Sequence, residues 1–343
     1  MKKMISFLLL LTVAISLAAC SKSTNDTKAE PTAGVQTPTE SATPTIAATT
    51  APTEAVTDLT PSGEEVTIGI LPAESAIPII LAKEKGFFDE VGLKVSIKAF
   101  ASPNDRNIAV QAGELDATIG DVMTGAAFVD KGIPMKITSD ISEDFKILSS
   151  PDSGIESMEQ LSGKQISLVP NFILEYIMDE FAKENGFTYE IVEIPSFADR
   201  AQALLNNQVD GVVFTEPQAG MLVQQGAHLL GSSKEAGIKG GTLMFMDEML
   251  TSRQGDIKAF YQAYNNAVDY MNETDVTEYS EILTNYQFPE AISAYLTTMT
   301  GDFKYAGTIS VDQFDNIISW TKEKGLIEKI YTYEELTDFS YLQ

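Results

Sequence analysis

The feature that most constrains the fold of this chain is an internal repeat. The stretch "LAKEKGF" at residues 81–87 returns as "FAKENGF" at residues 181–187. Further along, "SPNDRNIAVQAGELDATIGD" (102–121) aligns without gaps with "SFADRAQALLNNQVDGVVFT" (196–215). That alignment places Ser102 on Ser196, Asp105 and Arg106 on Asp199 and Arg200, and Asp116 on Asp210. Both halves read strand, helix, strand, helix, strand. In the first half "VTIGIL" is a β-rich run and "GLKVSIKAF" alternates in the manner of a strand. Between them "AESAIPIILAKEKG" has helical spacing and stops at Gly86, a residue suited to the left-handed position after a helix. Strands separated by helices predict a mostly parallel sheet with helices on both faces. A doubled unit of this kind predicts an α/β protein of two similar lobes.

The rest of the chain, from about Leu243, reads as mostly helical. "GDIKAFYQAYNNAVDYMNE" and "SVDQFDNIISWTKEKG" carry apolar stripes at helical spacing. The expected division is lobe 1 over 64–146, lobe 2 over 147–241, and a return to lobe 1 with a helical annex over 242–343. The chain then crosses between the lobes twice, near 143–150 and near 241–247, and two extended crossings make a hinge. Met244, Met246 and Met249 are expected to fill packing at that hinge.

The N-terminus reads differently. Lys2 and Lys3 precede an apolar run from Ile5 to Leu17, too short to span a bilayer comfortably. Then comes Ala18-Ala19-Cys20, which holds the only cysteine in the chain. This order resembles the lipobox of bacterial lipoproteins, with 1–19 as signal peptide and Cys20 as the lipidated first residue of the mature protein. Stable anchoring takes at least two acyl chains, which a diacylglyceryl cysteine supplies. An ordinary secretory signal with an incidental cysteine is the alternative. Residues 20–63 are rich in Thr, Pro, Ala and Ser and are expected to form a disordered tether, because they cannot bury enough apolar surface to offset ordering.

The chain has 49 acidic and 23 basic side chains, a net charge of −26. Such a surface repels phosphate backbones and anionic headgroups, which argues against nucleic-acid partners. One cysteine permits no internal disulfide, and one histidine, His228, makes a zinc site improbable. No metal and no cofactor is expected.

In open α/β sheets, ligands bind beyond the carboxyl ends of the strands, where helices begin. The repeat therefore pairs three loops across a cleft: 71–75 with 169–172, 102–106 with 196–200, and 120–124 with 215–218. Candidate ligand contacts on these loops are Pro72, Glu74, Ser75, Asn104, Asp105, Arg106, Asp121, Thr124, Asn171, Phe172, Ser196, Phe197 and Glu216. Each has a structural alternative. Ser102 with Asp105, and Ser196 with Asp199, have capping-box spacing. Arg106 and Arg200 either reach the cleft or pair with carboxylates across a surface. Pro72 and Pro170 suit turn positions. Glu74, Asp121 and Glu216 each follow a strand expected to be buried, where a carboxylate is costly unless it accepts hydrogen bonds. Phe172 and Phe197 stack on a ligand ring or belong to the core. His228 and Trp320 read as structural.

Four stretches carry a resemblance: "IPIILAKEKGFFDEVGLKV", "AVQAGELDATIGD", "ALLNNQVDGVVFTEP" and "DSGIESMEQLSGKQISLVP". Together they resemble the solute-binding lipoproteins of ABC importers, in the nitrate, sulfonate, taurine and thiamine-pyrimidine-precursor family. The resemblance runs from Val66 to about Met271. It implies a two-lobed, periplasmic-binding-protein-like fold that closes on a small molecule and delivers it to an ABC permease and its ATPase. It also implies a monomer held on the outer face of the cell membrane by its lipid alone. The three carboxylates at the expected cleft, set against Arg106 and, where it reaches the cleft, Arg200, favour a neutral or amine-bearing ligand, such as a pyrimidine-type precursor, over a sulfonate or nitrate. Two enzymatic branches are similar in fold. One makes a thiamine pyrimidine with histidine- and cysteine-rich chemistry that this composition lacks. The other dehydrates chorismate in the cytoplasm, which the lipobox argues against. A ligand sensor built on the same fold remains an alternative to transport.

Overall fold

The computed structural model describes residues 60–290, 292–297 and 303–342. The expected signal segment, Cys20 and residues 20–59 of the expected tether lie outside the described residues. The last residues assigned to the tether are built into the body. Ser62 donates its backbone N–H and its hydroxyl to the two carboxylate oxygens of Asp256, at 2.6 and 2.7 Å.

The first half runs β1 (Glu65–Ile70), α1 (Ile77–Glu84), α2 (Phe87–Glu90), β2 (Lys94–Ala99), α3 (Pro103–Gln111), β3 (Ala117–Asp121), α4 (Val122–Asp130) and β4 (Met135–Asp140). The second half runs β5 (Phe145–Ser149), β6 (Gln165–Leu168), α5 (Ile173–Asn185), β7 (Glu190–Glu193), α6 (Phe197–Leu205), β8 (Gly211–Thr215), α7 (Gln218–Gln224) and β9 (His228–Ser232). The chain then returns through β10 (Gly241–Met246), α8 (Asp247–Ser252), α9 (Gln254–Glu273), α10 (Ile292–Leu296), α11 (Val311–Glu323) and α12 (Tyr333–Leu336).

These strands form two five-stranded sheets, ordered β2-β1-β3-β10-β4 and β7-β6-β8-β5-β9. The two orders superpose term by term on the sequence repeat. In each sheet one strand runs against its neighbours: β10 is antiparallel to β3 and β4, and β5 is antiparallel to β8 and β9. Each reversed strand is the first the chain makes after it changes lobe. The fold is α/β and two-lobed, with mixed sheets flanked by helices.

The crossings differ from expectation. The first occupies 141–144, between β4 and β5, and the second 233–240, between β9 and β10. The stretch 241–247, expected as a crossing, is strand β10 and the start of α8. The apolar run in "GTLMFM" decides this, because Leu243, Met244 and Phe245 are fully buried between two partner strands. Each such burial contributes roughly 1.5–3 kcal/mol. Met244 accordingly packs in the sheet and not at the hinge. A Cβ on Gly120 would stand 2.5 Å from its Cε, and one on Gly125 2.9 Å from its Sδ.

The helices after β10 are not confined to lobe 1. Helix α9 packs on α1 and α2, and α11 packs on α4. Yet Trp320 of α11 meets Tyr176 of α5 edge to face at 5.6 Å, and Lys324 pairs with Glu175 and Asp179 at 2.6 and 2.8 Å. Helix α10 packs on α7, with Tyr295 against Gly220. One apolar cluster therefore runs from β4 through Met244 and α11 into β6 and α5. Among the described residues, no helix is long and apolar enough to cross a membrane.

Candidate functional site

The repeat is carried by matching caps. Ser102 and Ser196 start α3 and α6 in the same way, each accepting the N–H three residues on, at 3.2 and 3.3 Å. The first turns of both helices line one space between the sheets, through Pro103 and Arg106 of α3 and Phe197 and Arg200 of α6. A cavity of about 60 Å³ lies there, beyond the carboxyl ends of the strands. Lobe 1 contributes Leu71, Ala73, Pro103, Arg106 and Ile119 to Asp121. Lobe 2 contributes Phe145, Val169, Phe172 to Leu174, Phe197, Arg200 and Thr215, and the first crossing adds Glu143.

Asp121 joins the lobes. It caps α4 by accepting the Thr124 N–H at 2.7 Å, and its other oxygen accepts the Ile173 N–H of α5 at 3.2 Å. Burial pushes its carboxyl above the usual range, and hydrogen bonds from Thr124 and the Arg106 charge oppose that push.

Two arginines related by the repeat line the cavity, and both are buried, at 2% and 1% exposure. Arg106 donates through Nη1 to the Ile119 carbonyl at 2.6 Å, and through Nε and Nη2 to Asn107 Oδ1 at 3.0 and 2.8 Å. Burial brings it down to about 10, while Asp121 and Glu143 favour its charge. Arg200 donates through Nη1 to the Ile194 carbonyl at 2.9 Å. Its guanidinium stands 4.4 Å from the Phe214 ring centre and 5.1 Å from that of Phe197. Its Nε–H has no partner, and burial alone brings the group down to about 9. The expectation of surface pairing with carboxylates is thus wrong for both arginines. Neither is at the surface, and among the described residues neither makes an ion pair.

A second group of polar side chains closes one wall of the cleft. The Glu74 N–H donates to the Glu216 carbonyl at 2.8 Å, and the Gln218 side chain donates to the Pro72 carbonyl, both between lobes. The Ser75 hydroxyl donates to Glu143. Glu216 receives Lys146 Nζ and, at 2.8 Å, the Gly220 N–H, and Tyr295 also bonds to it. Burial, reinforced by Glu216 and Glu143, pushes Glu74 up to about 8. Burial pushes Glu143 up to about 7.

Of the residues expected to contact ligand, Arg106, Asp121, Phe172 and Phe197 line the cavity. Asn104, Thr124, Asn171 and Phe172 line an adjoining groove of about 480 Å³, so Phe172 belongs to both spaces. Asn171 sits in the left-handed region, at φ 69°. Pro72, Glu74, Ser75 and Glu216 lie in the interlobe wall, outside both linings. Asp105 and Ser196 are engaged in the helix caps. His228 lies on β9, its Nε2 3.1 Å from the Pro151 carbonyl and away from the cavity. Sequence reading did not name Glu143, Phe145 and Leu174, which line the cavity, and gave Arg200 only as an alternative outside the candidate contacts. The alignment of Arg200 with Arg106 is the signal that points to it, whereas Glu143 lies in a crossing with no repeat partner.

Comparison with known proteins places this geometry. The 4-amino-5-hydroxymethyl-2-methylpyrimidine phosphate synthase THI11 of Saccharomyces cerevisiae is 27% identical over 233 residues, covering 62% of this chain and 68% of the yeast protein. Among solved structures, a ligand-binding component of an ABC-type import system from Staphylococcus aureus, solved with zinc bound, superposes with a TM-score of 0.68 at 16% identity. It covers 81% of this chain and 97% of that one. The alkanesulfonate-binding protein SsuA of Xanthomonas axonopodis pv. citri, bound to MOPS, gives 0.68 at 17% identity over 79% and 97%. These likenesses fix the fold as the two-lobed periplasmic-binding-protein fold. The model of the family described as NMT1/THI5 like matches residues 74–275, more than half the chain, and the protein belongs to that family.

Proposed function

We infer that this protein is a solute receptor. It captures a small molecule between its lobes, closes on it by bending at the two crossings, and delivers it to an ABC permease with its ATPase. The observation that carries this reading is the cavity itself. Loops from both lobes enclose it at the carboxyl ends of the strands, and among the described residues two chain crossings join the sheets. The similar import component and alkanesulfonate-binding protein support it. We further propose that the receptor works outside the cytoplasm as a monomer, anchored to the membrane through lipid on Cys20.

Catalysis is the competing reading, because the similar yeast protein is a synthase. Against it, the ionisable side chains of the cavity are Arg106, Asp121, Glu143 and Arg200, and both carboxyl groups are already held by protein donors, Asp121 by the Thr124 and Ile173 N–H groups and Glu143 by the Ser75 hydroxyl. Melting the full chain against sulfonates, pyrimidines, amino acids and polyamines tests the reading. A ligand at a hundred times its dissociation constant adds about 2.7 kcal/mol, a shift of several degrees. Binding with the ligand recovered unchanged supports a receptor, and consumption of the ligand supports an enzyme. Cys20→Ser should move the protein from the membrane fraction to the soluble one, and continued membrane association would sink the anchor.

A further inference from the structure

We propose that Arg200 is the charge anchor of the cleft, and that the captured solute carries one anionic group on a compact apolar body. This rests on the receptor reading and names its ligand class. Arg200 is 1% exposed and lines the cavity, yet one neutral carbonyl, that of Ile194, is its only hydrogen-bond acceptor among the described residues. Its Nε–H is buried without a partner. The rings of Phe197 and Phe214 favour the cation through their faces but accept no ordinary hydrogen bond. A guanidinium held away from water in this state costs free energy that an arriving anion would return.

The contrast with Arg106 sharpens the point. That side chain fills all three of its nitrogens with protein acceptors, and Asp121 and Glu143 favour its charge. The nearby carboxylates are also engaged. Asp121 receives two backbone N–H groups, Glu143 receives the Ser75 hydroxyl, and Glu216 receives Lys146 and the Gly220 N–H. No protein carboxylate pairs with Arg200 among the described residues. The planar fork of an arginine suits two-point recognition of a carboxylate, sulfonate or phosphate oxygen pair. Apolar side chains of the same lining, Phe172, Leu174, Phe197 and Ile119 among them, suit a small hydrocarbon or ring. An amine-bearing solute would bring a second positive charge to an unneutralised one. The preference for a neutral or amine-bearing ligand counted Glu74 and Glu216 as cleft carboxylates, and both stand in the wall instead.

The test uses matched probes on the full chain: benzenesulfonate against benzenesulfonamide, benzoate against benzamide, and 4-amino-2-methylpyrimidine as the amine. Affinities are read by calorimetry and melting in the wild type, Arg200→Met and Arg200→Lys. The anionic member of a pair should bind at least tenfold tighter than its neutral isostere. Arg200→Met should lose at least tenfold of that affinity, with Arg200→Lys between the two. The selectivity within each pair is read in the wild type, so it stands even where a variant fails to fold. A neutral or amine probe that binds best, with an affinity unchanged in Arg200→Met, would overturn the anchor and leave the receptor intact. If no probe of any charge alters melting, the receptor reading falls and the anchor falls with it.

Discussion

Glu216 shows how far a side chain can be placed from sequence. It follows a buried strand at the mouth of the expected cleft, so the sequence argument gives it to the ligand. In the structure it is 2% exposed and turned to Lys146, the Gly220 N–H and Tyr295. The carboxylate ties β8, β5, α7 and α10 together. Removing one member of a buried pair leaves the other uncompensated, at 3–5 kcal/mol for a fully buried pair. Lys146 is 19% exposed, so water recovers part of that cost. Glu216→Ala should lower stability by about 2–3 kcal/mol in urea unfolding. A loss under about 0.5 kcal/mol would show that the carboxylate holds nothing. The strand end was legible because five buried residues precede it, but the direction of the side chain was not. That direction depends on Lys146, 70 residues earlier, and on Tyr295, nearly 80 later. The positions of Arg106 and Asp121 at the cavity were easier to read, since the repeat places the one and the local cap at Thr124 the other, although Asp121 also accepts the distant Ile173 N–H.

At the scale of elements, the loop after β1 and the first crossing form the interlobe wall, and acidic groups crowd it. Glu74 faces Glu216, Glu143 and Asp144, with Lys234 and Lys146 as the nearby cations. Glu143 faces Asp121, Arg106 and the Ser75 hydroxyl. Burial first, then the like charges, lifts Glu74 from an ordinary 4.5 to about 8, and burial lifts Glu143 to about 7. A raised carboxyl means that the folded protein holds protons the unfolded chain has released. Stability from these two groups is then fully present below about pH 4.5 and is lost as pH rises to 7–8. Self-repulsion in a chain of net charge −26 acts in the same direction, so variants must separate the two. The wild type should melt lower at pH 8.5 than at pH 5.5, and the double variant Glu74→Gln with Glu143→Gln should show a smaller difference. An equal difference in both proteins would assign the whole effect to net charge. Both crossings were misplaced in the same way: most of 143–150 is strand β5 and most of 241–247 is strand β10, and an antiparallel strand made of apolar residues carries no sign of its direction.

At the scale of the molecule, the proposed receptor role requires the lobes to part for a solute to enter. The cavity holds about 60 Å³, while small-molecule sites run to roughly 300–1,000 Å³. Opening has to break what now spans the lobes. Helix α11 rests on α4 of lobe 1, yet Lys324 at its end bonds Glu175 and Asp179 of α5, and Trp320 Nε1 donates to Asp179 at 2.9 Å. Glu175 in turn accepts the Asn171 N–H at 2.6 Å, in the loop that carries Phe172 into the cavity. One cation thus holds α11 to lobe 2 and steadies a cleft loop through Glu175. Lys324 is about a third exposed, so its pairs add little to global stability. Their effect falls on the balance between open and closed forms, where 1.4 kcal/mol is a tenfold change in population. Lys324→Met keeps an unbranched side chain of similar length and removes the charge, which stands 5.2 Å from the Trp320 ring centre. Small-angle scattering of the unliganded variant should give a larger radius of gyration than the wild type, with melting changed by only a few degrees. Ligand affinity should fall by up to about tenfold, because closure no longer gains the Lys324 pairs. An unchanged radius with unchanged affinity would mean that α11 travels with lobe 2 as one body, and that the lobes part along the wall of Glu74 and Glu216 instead.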